Sequence, residues 1–198
     1  MELIDVKLRT SMKLYAASDL HIDFSANREL VGQVGNHPED WLVLAGDISH
    51  KVPDMIWAME HLVSRFKGVS WAPGNHDLWT ANHDGREYRG VEKYELLVEL
   101  CRERGVHTPE DPYPTLSLGG KDHLLAPLLT LYDYSYRPDE IPEEMALFWA
   151  LENNVMSTDE YYLHPQPYKS RAAWCAERCA LTEERLAAAP PETPMILA

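Results

Sequence analysis

Three short apolar runs recur along the first part of the chain, and each ends abruptly in polar residues. Lys13-Leu14-Tyr15-Ala16-Ala17-Ser18 gives way to Asp19-Leu20-His21, Trp41-Leu42-Val43-Leu44-Ala45 to Gly46-Asp47, and Val69-Ser70-Trp71-Ala72-Pro73 to Gly74-Asn75-His76-Asp77. Runs of this length predict buried strands that stop at turns. Residues 22–40 read as a loop and a short helix. Residues 53–67 carry Ile56, Met59, Val63 and Phe66 at helical spacing, which predicts a helix laid on a core. Strand, helix and strand at this pitch make βαβ units, whose right-handed crossovers set the strands parallel.

The pattern changes further along. Within residues 85–105 a helix is predicted, with Val91, Tyr94, Val98 and Cys101 inward and Glu92, Glu95, Glu99 and Glu103 as a solvated face. Leu116-Ser117-Leu118 and residues 124–129 predict two strands, joined by a hairpin at Gly119-Gly120. Residues 132–168 have no period and are rich in proline and aromatic residues, as expected of loops clamped by aromatic packing or walling a substrate site. A helix over 170–189 follows, with Cys175 and Cys179 on one face as core residues. Residues 194–198 read as the start of a strand.

With 198 residues, 45% of them apolar, the chain suits one well-packed domain. Residues 12–198 are read as that domain, incomplete at its C-terminus, and residues 1–11 as a tail. A formal net charge of −14 argues against nucleic acid or an anionic membrane surface as the main partner. An anionic substrate would need bound cations in the site. The three cysteines have no disulfide-framework spacing, which fits a reducing, cytoplasmic location. No apolar run approaches the ~20 residues that span a bilayer.

The polar ends of the three runs hold the chemistry. Asp47 follows Asp19 by 28 residues, and Asn75 follows Asp47 by 28. In parallel strands this brings Asp19, His21, Asp47, Asn75, His76 and Asp77 to one sheet edge, where open α/β sheets bind ligands. Asp19 and His21, two apart in an extended segment, would project to the same side and reach one metal ion. Asn75 offers a neutral oxygen, His76 an imidazole, and Asp77 a carboxylate that can orient the imidazole. A turn cap or a routine turn could explain each piece separately; the ordered set could not easily arise that way.

Asp19-x-His21, then Gly46-Asp47, then Gly74-Asn75-His76-Asp77, each after a strand, resembles the calcineurin-like metallophosphoesterase superfamily over about residues 12–78. The resemblance implies an α/β fold, a β-sandwich flanked by helices. It also implies metal-dependent hydrolysis of a small phosphomonoester or phosphodiester through two metal ions. Asp19, His21 and Asp47 would then ligate one ion, with Asp47 shared and Asn75 on the second. His76 would hydrogen-bond the phosphate and protonate the leaving alkoxide, with Asp77 orienting it. Mn²⁺, Fe or Zn²⁺ suits such mixed ligation, with manganese favoured.

The resemblance also calls for three later histidines, two of them in a Gly-His-x-His turn. His83, His107, His123 and His164 follow His76, and none lies in such a turn. The expected explanation is that the chain stops before that part of the domain, leaving a sheet uncovered for self-association and the chain alone inactive. The rival is a non-catalytic scaffold of the same fold that binds a protein partner. A purely structural metal site fits poorly, because such zinc sites prefer closed Cys/His tetrahedra.

Overall fold

The computed structural model describes residues 11–80 and 88–198. In chain order its elements are β1 (Leu14–Ala17), α1 (Ser25–Gly32), β2 (His37–Ala45), α2 (Val52–Val63), β3 (Phe66–Ala72), α3 (Asn75–Leu78), α4 (Val91–Glu103), β4 (Val106–His107), β5 (Thr115–Leu118), β6 (Lys121–Ala126), α5 (Ala146–Glu152), α6 (Asp159–Tyr162), α7 (Arg171–Ala187) and β7 (Met195–Leu197). Four strands form a parallel sheet in the order β1-β2-β3-β4, and three form a second sheet in the order β5-β6-β7. The fold is thus a mixed α/β sandwich with helices, as the motifs implied. Residues 1–10 of the expected tail, and His83, lie outside the described residues.

Alternation along β2 shows why two layers form. Leu42 and Leu44 join the main core with Val69 and Trp71 of β3 and Met55, Met59 and Leu62 of α2. Trp41 and Val43 point the other way, into a smaller cluster with Leu116 and Leu125 of the second sheet. A strand buried on both faces reads as a continuous apolar run, which is what residues 41–45 are. Each fully buried leucine contributes about 1.5–3 kcal/mol relative to exposure, so the main core holds the parallel sheet to its helices.

Several expected boundaries shift. α2 buries Met55, Ala58, Met59 and Leu62, one position off the predicted stripe at Ile56 and Val63. Phe66, expected on that helix, opens β3 instead. Helix ends are set by local geometry: α2 stops at Val63, and the β-propensity of Phe66 is met in the sheet. β2 begins at His37 with an irregular pairing before Trp41. In contrast, Tyr94, Leu97, Val98 and Cys101 form the buried stripe of α4 much as expected. Gly119 and Gly120 take φ values of 58° and 80° in the β5–β6 hairpin, a conformation that favours glycine. Ser170 caps α7 by accepting the Ala173 N–H at 3.1 Å. Arg178 of α7 donates to Glu110 at 2.6 Å, and Tyr94 of α4 donates to the same carboxylate, which ties the last helix to the parallel-sheet layer.

Candidate metal centre

The three strand ends meet through backbone hydrogen bonds. Asp19 N–H donates to the Gly46 carbonyl at 3.2 Å, and His21 N–H to the Asp47 carbonyl at 2.9 Å. Asp19, His21 and Asp47 sit at φ values of 55°, 39° and 54°. The Asp19–His21 segment is therefore a left-handed turn rather than the extended stretch expected, because it must fold across the end of β2. Non-glycine residues pay roughly 1 kcal/mol or more for this region, and such strain gathers at functional sites.

The third loop closes on the second with little room. A methyl group on Gly46 would lie 2.6 Å from Gly74, and one on Gly74 would lie 2.2 Å from Asp47 Oδ1. Both glycines are needed so that the Asp47 carboxylate can reach across. There its Oδ1 accepts the His76 backbone N–H at 3.0 Å. One carboxylate oxygen is thereby anchored and the other left for a ligand. His21, Asp47 and His76 each offer a ligand atom, and these lie within 4.8 Å of one another. The His76 ring stacks on Trp79 with centroids 3.6 Å apart and meets the His21 ring edge-on at 4.7 Å. Asp19 stands at the margin, exposed, with its Oδ1 3.9 Å from His21 Nε2.

His21 and Asp47 offer the mixed N/O donors that suit a divalent cation, and the His76 imidazole lies within reach of whatever such a cation would bind. This grouping brings His76 beside His21 and Asp47. Cys175 and Cys179 lie apart from it, with their sulfurs 4.0 Å from each other on α7.

Asp77 corrects the expected arrangement. It is fully buried, and its carboxylate accepts from Ile48 N at 2.7 Å, Ser49 N at 3.3 Å, Trp71 Nε1 at 3.0 Å and Gly74 N at 3.1 Å. Among the described residues its hydrogen-bond partners are the two loops and a core indole, so it fixes the loops rather than the His76 imidazole. Burial pushes its pKa up to about 6, with the Asp47 charge adding to this and the donated hydrogen bonds opposing it. Nearby, buried Lys93 of α4 donates to the His50 and Trp79 carbonyls, joining the segments that follow Asp47 and His76. Burial pushes its pKa down to about 8, partly offset by Asp77.

Asn75 is held from across the chain. Its amide nitrogen donates to Asp159 Oδ1 at 2.8 Å, and Trp79 Nε1 donates to the same oxygen. Tyr132 hydroxyl donates to Asp159 Oδ2 at 2.6 Å. Asn75, Asp159, Tyr132, Gly74 and residues 128–131 line a cleft of about 540 Å³. Sequence reasoning missed Asp159, Trp79 and Lys93. Trp79 lies two residues past the third motif and was findable by position, and Lys93 flanks the buried stripe of α4. Asp159 lies 84 residues from its partner in an unpatterned segment and gives no sequence signal.

The chain belongs to the calcineurin-like phosphoesterase family, whose pattern it matches over residues 12–176. Among curated proteins it is 41% identical over 177 residues to the acyl-carrier-protein phosphodiesterase PptH of Mycobacterium tuberculosis. That match takes in 87% of this chain and 54% of the relative, so the chain spans about half the relative's length. Among solved structures, the crystal structure of phosphopantetheinyl hydrolase (PptH) from Mycobacterium tuberculosis superposes with a TM-score of 0.91 at 38% identity, covering 95% of this chain and 67% of that one. No helix among the described residues is long and apolar enough to cross a membrane.

Proposed function

We propose that the protein is a metal-dependent phosphodiesterase whose substrate is the phosphodiester of a phosphopantetheinylated acyl carrier protein. The observation that carries this reading is the convergence of His21, Asp47 and His76 within 4.8 Å at the edge of the parallel sheet. The likeness to PptH supports the diester and the protein-borne substrate, in place of a free small phosphoester. Bound there, divalent cations would supply positive charge to the phosphoryl oxygens and a water acid enough to react near neutral pH. Asp19, His21 and Asp47 would hold one ion, and Asp47 with Asn75, the latter through a neutral oxygen, would hold a second.

His76 hydrogen-bonds the phosphate and protonates the leaving alkoxide, its ring kept in place by the Trp79 stack. Asp77 acts through the loops: with Ile48, Ser49 and Gly74 bound to one carboxylate, the second and third motifs move as a unit. Manganese is the favoured ion and the cytoplasm the expected location. The family pattern adds three histidines that this sequence does not hold. The 198-residue chain by itself is therefore expected to bind at most one ion weakly, to be inactive, and to self-associate.

That gap also keeps the scaffold reading in play, and one experiment separates the two. Protein isolated from its native source, at whatever length it is made, is assayed with Mn²⁺ on an aryl phosphodiester. It is assayed also on phosphopantetheinylated carrier protein, followed by mass. Turnover abolished by a chelator is expected, with Asp47→Asn losing most bound metal and His76→Ala keeping metal but losing ~10²-fold or more in rate. Carrier protein bound but left intact, in a metal-loaded sample, would favour the scaffold.

A further inference from the structure

The cleft beside the candidate metal centre contains a carboxylate that none of the three motifs predicts. Asp159, on α6, is buried, and its two oxygens receive three side-chain donors: Asn75 Nδ2 and Trp79 Nε1 on Oδ1, and Tyr132 hydroxyl on Oδ2. Two of these donors belong to the loop that carries His76. A carboxylate accepts and cannot donate, so the side of the Asn75 amide facing Asp159 must be its NH₂. A primary amide has only two faces, and fixing one fixes the other. The Asn75 carbonyl oxygen is thus left as the free acceptor, and among the described residues no hydrogen bond claims it.

We infer that Asp159 is a positioning residue, which locks the flip of the Asn75 amide so that its carbonyl oxygen is presented as a ligand for a divalent cation. This inference rests on the metal-dependent reading above. Outer partners of metal ligands act in this way, setting which atom faces the ion. Tyr132 and Arg171 in turn hold Asp159. Tyr132 occupies Oδ2, and Arg171 Nη1 donates to the Asp159 backbone carbonyl at 2.8 Å. The free choice of the amide is therefore removed by residues from β6's exit, α6 and α7, all outside the motif-bearing strands.

The oxygen assignments separate geometry from charge. In Asp159→Asn, the amide oxygen can take the Oδ1 place, keeping the Asn75 and Trp79 donors. The amide nitrogen then faces Tyr132, whose hydroxyl can turn to accept. In Asp159→Leu no acceptor remains, and the Asn75 amide can flip.

The spectroscopic test uses the 198-residue chain, with Asn75→Ala to assign the Asn75 side-chain NH₂ signal in ¹H–¹⁵N spectra. Thermal melts confirm that each variant folds. We expect the Asn75 amide signal to be displaced from the free-amide range in wild type and Asp159→Asn, and to return to it in Asp159→Leu. Mn²⁺ affinity is measured on protein at the length its native source makes, where the ion that Asn75 serves is expected to bind; followed by the EPR signal of the free ion, it should fall about 10-fold in Asp159→Leu and equally in Asn75→Ala. It should fall no further in the double variant, and Asp159→Asn should stay within about threefold of wild type.

An Asn75 signal unchanged in Asp159→Leu overturns the inference. So does Mn²⁺ affinity that survives Asp159→Leu but not Asn75→Ala, or an Asp159→Asn variant as weak as Asp159→Leu. Wild type that binds no Mn²⁺ sinks the metal-dependent reading and the metal role of Asp159 with it, whereas the amide signal then shows whether the hydrogen bond itself was at fault.

Discussion

The loops that end β1, β2 and β3 and the segment from Tyr132 to Tyr162 meet where Asn75 donates to Asp159, yet they are held in different ways. The strand-end loops are fixed by backbone hydrogen bonds, by two glycines in contact and by one buried carboxylate. The later segment is fixed by side chains: Tyr132 to Asp159, Tyr134 to Glu160, and Arg171 to both stretches. Backbone fixing demands particular residues at particular spacings, because only some residues fit the geometry. Side-chain fixing can be met by many pairs at many separations. The first region should therefore respond steeply to single changes and the second more gently.

Gly74→Ala should break the first region outright. The new methyl would meet Asp47 Oδ1 at 2.2 Å and the Asp47 backbone nitrogen at 2.5 Å. Neither can retreat without pulling β2 from its partners. We expect a loss of 3 kcal/mol or so, at the upper end of overpacking costs, and loss of bound metal. Urea unfolding with metal analysis checks both. A variant of near-native stability would mean that the loops are looser than their contacts imply.

Asp77→Asn should come next. Four donors converge on two oxygens, and an amide must turn its own NH₂ toward some of them. Leaving buried donors unpaired costs about 1–3 kcal/mol, so a loss of roughly 2 kcal/mol is expected, with the His76 loop displaced. Unchanged stability would show that Asp77 carries a proton in the folded state and already acts as a partial donor.

These two sites also show what was legible in the sequence. The 28-residue spacing of Asp19, Asp47 and Asn75 encoded parallel strands and a shared edge, because βαβ geometry leaves few alternatives. The direction of a side chain within a turn was not encoded. Asp77 was expected beside His76 and instead faces Trp71, since a carboxylate three residues into the turn can satisfy the donors beneath it. Likewise, the left-handed φ of Asp19 and His21 follows from pairing with Gly46 and Asp47, which is tertiary information. The second sheet was readable from Leu116, Leu125 and the paired glycines. Asp159 was unreadable, because aperiodic chain leaves no trace of which distant residue it will meet.

Lys93 gives a gentler probe of the joint between the loops. Burial holds its pKa at about 8 in the folded chain, against 10.5 for an unperturbed lysine. Between these pH values the unfolded chain holds the proton and the folded chain releases it. Its contribution to stability is therefore complete above the unfolded value and is lost as pH falls toward 8. The stability of wild type minus that of Lys93→Met should rise by roughly 1–2 kcal/mol from pH 8 to 10.5, less than the full shift because relaxation softens burial. A flat difference would place a charged ammonium comfortably between the His50 and Trp79 carbonyls.

The smallest effect on stability is expected in the second region and at the second sheet, where it sharpens the question of self-association. Leu151 on α5 is 59% exposed, with Phe148, Val155 and Met156 exposed beside it, and Leu197 on β7 is 54% exposed. Exchanging either for serine removes little buried area, so each should change stability by at most about 0.5 kcal/mol. Their effects on association should differ. β7 is paired on one side with β6 and, among the described residues, lies at the edge of a three-stranded sheet with no strand on its other side, where a second chain can meet its backbone groups. The α5 patch presents side chains alone, without a row of backbone donors and acceptors to set a register. Sedimentation velocity over a concentration series should therefore show Leu197→Ser weakening self-association while Leu151→Ser leaves it near wild type. The opposite order would move the sticky surface from the sheet edge to the aperiodic segment, and the side-chain-held region would then be the one that meets other molecules.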